Sequence, residues 1–82
     1  MYIMRWYIYI VECCDGSLYT GITNDLEKRL IAHNTGKGAK YTSARRPVKL
    51  IYSEGVANRS EASKREIAIK RLNREAKKKL CS

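Results

Sequence analysis

The rhythm of apolar and polar positions divides the chain into six segments. Residues 5–13 and 18–23 are dominated by β-branched and aromatic side chains and read as two strands. Cys-Asp-Gly-Ser lies between them, turn chemistry that marks a hairpin. The period then lengthens. Leu26, Leu30 and His33 fall on one stripe of a helix, with Arg29 on its edge. Asn24 is the expected N-cap of that helix, Glu27 its capping-box partner and Thr35-Gly36 its stop. Residues 36–46, rich in glycine and lysine, read as a loop. Pro47 lacks an N–H and suits the opening of a third strand, over 48–54. Asn58, with Glu61, caps a second helix that is expected to reach Leu72, and Asn73 caps a short final one, REAKKKL. The predicted order is β-β-α-β-α-α, an α+β chain.

Eighty-two residues with 44% hydrophobic content suffice for one core of two packed layers and are too apolar for disorder, so a single domain over 1–82 is expected. The formal charge of +9 changes the functional picture, because it favours a polyanionic partner. That charge is concentrated in residues 37–49, which hold Lys37, Lys40, Arg45, Arg46 and Lys49 with no acid, and in residues 59–79. The run MYIMRWYIYIV is interrupted by Arg5, is too short to span a bilayer and lacks a small-residue cleavage site; it reads as buried strand, with no membrane role. Cys13, Cys14 and Cys81 are an odd count without zinc spacing, which argues for a reduced, cytoplasmic setting.

Three features could carry chemistry, and each has a plainer reading. Arg29 and His33 are helical neighbours, readable as an edge Arg with a partly buried His. Ala62, Glu66 and Ile69 share one row, so Glu66 touches the apolar side and needs a partner; an i, i+4 pair with Lys70 would supply it. Tyr7, Tyr9, Tyr19 and Tyr52 fall on the expected strands while Phe is absent, as amphipathic sheet residues or as phenols capable of acid–base work.

Taken in order, these residues resemble a known family. Tyr7-Ile8-Tyr9 and Tyr19-Thr20-Gly21, ten apart tyrosine to tyrosine, resemble the two halves of the GIY-YIG nuclease motif, the first without its leading Gly. Arg29 in DLEKRLIAH is similar to that family's first-helix Arg, His33 to its helical His, and Glu66 in SKREIAIK to its metal-binding Glu. GKGAKYTSARRP resembles the corresponding loop of structure-selective junction nucleases of the family, and Asn73 is the nearest counterpart of a late Asn. The resemblance implies a three-stranded, mostly antiparallel sheet flanked by helices. It also implies a metal-dependent endonuclease acting on DNA, with branched or repair intermediates as substrates and one divalent cation, Mg²⁺ or Mn²⁺.

In that reading Glu66 holds the metal, Arg29 grips the scissile phosphate, Tyr9 or Tyr19 takes the water's proton, and His33 orients or relays. Gly21 leaves room beside the phosphate, and Lys40, Arg45, Arg46 and Lys49 follow the flanking backbone. Family enzymes usually carry an added targeting domain, so specificity here is expected from a protein partner or from substrate shape. A non-catalytic nucleic-acid-binding module and a partner-dependent nuclease subunit are the alternatives.

The shared site makes a demand on the hairpin. A two-residue turn at Asp15-Gly16 would set Glu12 opposite Tyr19 and put Tyr9 and Tyr19 on opposite faces. A three-residue loop over Cys14-Asp15-Gly16 pairs Cys13 with Ser17, Val11 with Tyr19 and Tyr9 with Gly21, which brings both phenols to one face. Local propensity leaves both open; the resemblance selects the second.

Overall fold

A computed structural model describes residues 5–81. Residues 1–4 of the expected N-terminal strand run lie outside the described residues. The strand β1, Trp6–Glu12, is the centre of a three-stranded sheet of order β2-β1-β3. The position explains its nearly continuous apolar sequence, since a central strand is covered on both faces. β2, Leu18–Thr23, and β3, Lys49–Val56, both pair antiparallel to it, so every pairing in this sheet is antiparallel.

Alternation along β1 sends successive side chains to opposite faces. Ile8 and Ile10 meet Ala62 and Ile69 of α3, Arg59–Lys70, in a cluster that Leu80 and Cys81 join from the end of α4, Arg74–Leu80. Each fully buried isoleucine there contributes about 1.5–3 kcal/mol. Tyr9 and Val11 face the other way. They form a second cluster with Cys13 and Val48, against which Tyr19 and Leu26 and Leu30 of α1, Leu26–Asn34, pack. The short α2, Lys40–Ser43, lies beside α1.

The hairpin adopts the three-residue connection. The Cys13 N–H donates to the Ser17 carbonyl (2.8 Å) and the Gly16 N–H to the Cys13 carbonyl (2.9 Å). Gly16 sits at φ +84, a left-handed conformation that glycine takes without strain. Tyr9 is therefore opposite Gly21 and Val11 opposite Tyr19.

Several boundaries differ from the sequence reading: β1 is one residue shorter at each end than the expected 5–13, and β3 opens at Lys49, one residue later than expected. Asp25, not Asn24, caps α1: its carboxylate accepts from the Lys28 N–H (3.1 Å), while the Thr23 hydroxyl accepts from the Asp25 N–H (3.0 Å) and delays the helix by one residue. The expected loop 36–46 contains α2, whose four residues are too few to show a helical period. β3 runs on to Val56 because β1 still offers Tyr7 and Trp6 as partners to Gly55 and Val56. α3 stops at Lys70, and Leu72 closes a tighter turn through its N–H to the Ile69 carbonyl (3.0 Å). Asn73 caps α4 as expected, accepting from the Ala76 N–H (2.9 Å).

Among the described residues, one buried side-chain oxygen lacks a partner: Oγ1 of Thr20 on β2.

Candidate active site

The site begins with a close approach between two strands. The Tyr9 ring crosses over Gly21 on the neighbouring strand, and a Cβ at Gly21 would stand 2.5 Å from the phenol oxygen and 2.7 Å from Cζ. Only glycine leaves that path clear, so the room expected beside a phosphate is taken by the Tyr9 ring. Beyond it, α1 presents Arg29 and His33 one turn apart. The Tyr9 oxygen accepts from Arg29 Nε (3.2 Å) and lies 2.8 Å from His33 Nε2. The ring of Tyr19 meets His33 edge to face at 5.5 Å, and that of Tyr9 does so at 5.7 Å. The two phenols and the first-helix Arg and His are thus together on one face of the sheet.

Glu66 arrives from α3, which packs against the opposite face; the helix also borders β2, the edge strand that carries Gly21. The carboxylate is close enough for its charge to act on the Tyr9 phenol. It pairs with Lys70 at 3.4 Å, so the plain i, i+4 reading of Glu66 holds.

Electrostatics separates the members. Burial raises the Tyr9 phenol above its usual value, and this outweighs the nearby Arg29 guanidinium, which acts in the opposite sense. Burial lowers His33, and Arg29 lowers it further, so the imidazole is neutral at pH 7. The Arg29 guanidinium is held protonated chiefly by its hydrogen bond to Tyr9, with Tyr19 adding to the effect. Tyr19 is only half-buried, whereas Tyr9 is closed off.

The expected cations divide. Lys40 is exposed on α2, and its ammonium has no hydrogen-bond or ion-pair partner among the described residues. Arg45 is engaged three times: with Asp15 (3.1 Å), with the Tyr41 carbonyl (2.9 Å) and over the Tyr41 ring (4.0 Å). Arg46 donates through Nε to the Ser43 carbonyl (2.9 Å). Lys49 faces Glu12 at 3.7 Å, in a group completed by Lys78 of α4.

Three residues escaped the sequence reading. Tyr41 stacks on Tyr19 with ring centroids 6.0 Å apart, and Thr42 Oγ1 lies 2.7 Å from His33 Nδ1. Gly38 admits the loop against His33, because a Cβ there would stand 2.5 Å from Nδ1 and 2.9 Å from the His33 Cα. Their signal was the motif GKGAKYT, whose glycines and hydroxyl have no role in a plain cationic loop.

Among the described residues no group of three or more His, Cys, Asp or Glu side chains gathers as an all-protein metal cage would require. One carboxylate beside phenols and a guanidinium suits a hard cation that keeps most of its water and takes substrate oxygens. It does not suit zinc, which takes three or four protein ligands from Cys, His and carboxylate side chains.

Residues 5–79 match the model of the GIY-YIG catalytic domain. The chain belongs to the GIY-YIG family. Similar proteins include a UPF0213 protein of Staphylococcus saprophyticus, 60% identical over 95% of both chains, and one of Streptococcus agalactiae, 56% identical over 87% of this chain and 81% of that one. A solution NMR structure of a UPF0213 protein from Bacillus halodurans is 44% identical, covers 94% of this chain and 82% of that one, and superposes with a TM-score of 0.59. A second NMR structure, from E. faecalis, gives 45% identity over 92% of this chain and 80% of that one, with a TM-score of 0.63. GIY-YIG domains are nuclease domains, and their substrate is nucleic acid. Among the described residues no helix is long and apolar enough to cross a membrane.

Proposed function

We propose that this GIY-YIG protein is a divalent-cation-dependent endonuclease that hydrolyses phosphodiester bonds in DNA, with branched or repair intermediates as its substrate class. The observation that carries the reading is the meeting of Arg29 with two phenols and His33 on one face, within reach of the Glu66 charge. A binding module would have no use for a guanidinium held by one buried phenol beside a second, half-buried one.

Arg29 has hydrogen-bonding capacity beyond the Nε bond to Tyr9, and its two terminal nitrogens suit two oxygens of one phosphate. Tyr19 is the accessible phenol and, in its deprotonated form, the one placed to take a proton from the attacking water. Tyr9 already accepts from Arg29 and is hydrogen-bonded to His33 within the fold, so its part is to hold Arg29. Glu66 would bind the cation, which when present supplies charge neutralisation at the phosphate. Lys40 is free to meet the flanking backbone, a contact that positions without reading sequence. Arg45 supports Tyr41 and through it Tyr19.

A panel of single-stranded, duplex, flap and branched DNA with Mg²⁺ and Mn²⁺ tests this. Wild type is expected to cut at least one branched substrate, and Glu66→Ala to bind it equally well and cut at background. Cleavage by the variant at the wild-type rate would remove the metal role of Glu66. Tight binding by wild type with no cleavage anywhere would favour the binding module, and cleavage only on adding a cell extract would favour the partner-dependent subunit.

A further inference from the structure

The buried polar chain running from Arg29 to α2 contains four protons to place. They are the Nε–H of Arg29, the O–H of Tyr9, the ring N–H of neutral His33 and the O–H of Thr42. Arg29 can only donate, so the Tyr9 oxygen accepts from it. Two arrangements remain for the rest.

In one, Thr42 Oγ1 donates to the Ala39 carbonyl at 2.9 Å and accepts from His33 Nδ1–H, while the bare Nε2 accepts from the Tyr9 O–H. Every proton then has an acceptor. In the other, Thr42 donates to Nδ1 and the ring proton moves to Nε2. The Tyr9 oxygen then receives two donors, and its own proton has no acceptor left among its contacts in the described residues. Tyr9 is 1% exposed, so such an orphan would bear the full cost of desolvation. The first arrangement is favoured by that margin.

We propose that Thr42 is a positioning residue: by holding the His33 proton on Nδ1 it aims the Tyr9 O–H at Nε2 and keeps the phenol's lone pair turned toward Arg29. The short α2 exists in this view to deliver one hydroxyl. Its geometry depends on Gly38, which lets the preceding loop lie against the His33 backbone. The chain is directional, from guanidinium to phenol to imidazole to hydroxyl to carbonyl, and it ends on a main-chain oxygen that cannot pass a proton on. It is therefore a brace that fixes Arg29, and no proton need travel along it.

His33 is the one histidine of the chain, so its ring nitrogens can be read without ambiguity by long-range ¹H–¹⁵N NMR. At pH 7.5 wild type is expected to show a protonated Nδ1 and a bare Nε2, and Thr42→Ser to keep that pattern. Thr42→Val, nearly isosteric but without the hydroxyl, should shift the ring toward the Nε2–H tautomer. Tyr9→Phe should leave Nδ1 protonated, because Thr42 still accepts from it while donating to the Ala39 carbonyl; this variant and wild type decide the matter should Thr42→Val fail to fold. A bare Nδ1 in wild type, or an unchanged tautomer in folded Thr42→Val, overturns the proposal. In cleavage assays kcat should fall by about tenfold or more in Thr42→Val, with KM little changed and rescue by Thr42→Ser. That kinetic arm rests on the nuclease reading, whereas the NMR arms stand without it, so failure of one is distinguishable from failure of the other.

Discussion

Tyr9 and Ile10 are neighbours on one strand and both are buried, yet their surroundings differ in kind. Ile10 meets Ile8, Ala62 and Ile69, contacts without direction that tolerate small shifts. Tyr9 meets a guanidinium, an imidazole and a bare strand backbone, contacts that hold only in one geometry. A chain this small has apolar material for about one good core, and it places that on the α3 side of the sheet. The α1 side gives up some of that stabilisation to polar groups that fix a guanidinium. The difference teaches where a mutation should act: in the apolar cluster under α3 stability moves and chemistry does not, and among the polar groups under α1 the two are coupled.

The sharpest test of that division is Ile10→Ala. It should cost about 2–5 kcal/mol, read as a shift in the urea midpoint, while activity per folded molecule stays within twofold. A drop in activity with the fold intact would erase the distinction between the faces. Gly21→Ala attacks the other face. Its methyl must displace a buried ring that is fixed at both ends, so a loss of about 1–3 kcal/mol is expected together with loss of the Tyr9–His33 and Tyr9–Arg29 contacts. If the variant keeps full activity, Tyr9 is not needed where it lies.

A smaller effect is set by pH. His33 is held below the ordinary histidine value of 6.5 by burial and then by Arg29. The unfolded chain therefore binds more protons just below pH 6.5, so stability is fully present above that value and falls as the pH is lowered through it. Glu54 is pushed up by burial but held below its ordinary 4.5 overall by Arg65 and Tyr52, so the stability it adds is full above about pH 4.5 and is lost only as the pH falls below that value. Melting temperature should thus begin to fall below pH 6.5 in wild type and equally in Ile10→Ala. An NMR titration midpoint for His33 at or above 6.5 would contradict this.

The smallest expected change is a gain. Thr20→Val replaces the orphaned hydroxyl with a methyl of similar volume on the apolar side and should stabilise by up to about 1 kcal/mol. Destabilisation would mean that Thr20 Oγ1 has a use the apolar face conceals.

Most of the fold was legible because strands and helices announce themselves by period. β2 and α4 fall where the pattern sets them, β1 and α1 lie within one residue of it, and the helix stripe Leu26, Leu30, His33 faces inward as expected. The hairpin register was not a matter of propensity: two turns were open, and a shared site needed the three-residue one. Tyr9, Tyr19, Arg29 and His33 were found as a set through their order. Thr42, Tyr41 and Gly38 were not, because nothing local to GKGAKYT points at a histidine on another helix. Arg45 was read as a free cation, since sequence charge does not reveal that Asp15 and the Tyr41 ring already claim it. Long-range pairing is the information a single chain pattern lacks.

The hairpin turn gathers threads from far along the chain. Arg45 returns to Asp15 across 30 positions, Arg74 to the Gly16 carbonyl across 58 (2.6 Å), and Lys78 to Glu12 across 66 (2.8 Å). Loop-closure entropy rises only slowly with length, so the two longer returns each cost about 0.6 kcal/mol more than the shortest. Exposed ion pairs contribute about 0–1 kcal/mol each and are screened by salt. The turn is thus a knot tied with weak string: its charged strands loosen as ionic strength rises, while the Leu80 and Cys81 contacts, indifferent to salt, keep α4 on the sheet. Rising salt should slacken the hairpin end of the molecule before it disturbs anything near Tyr9.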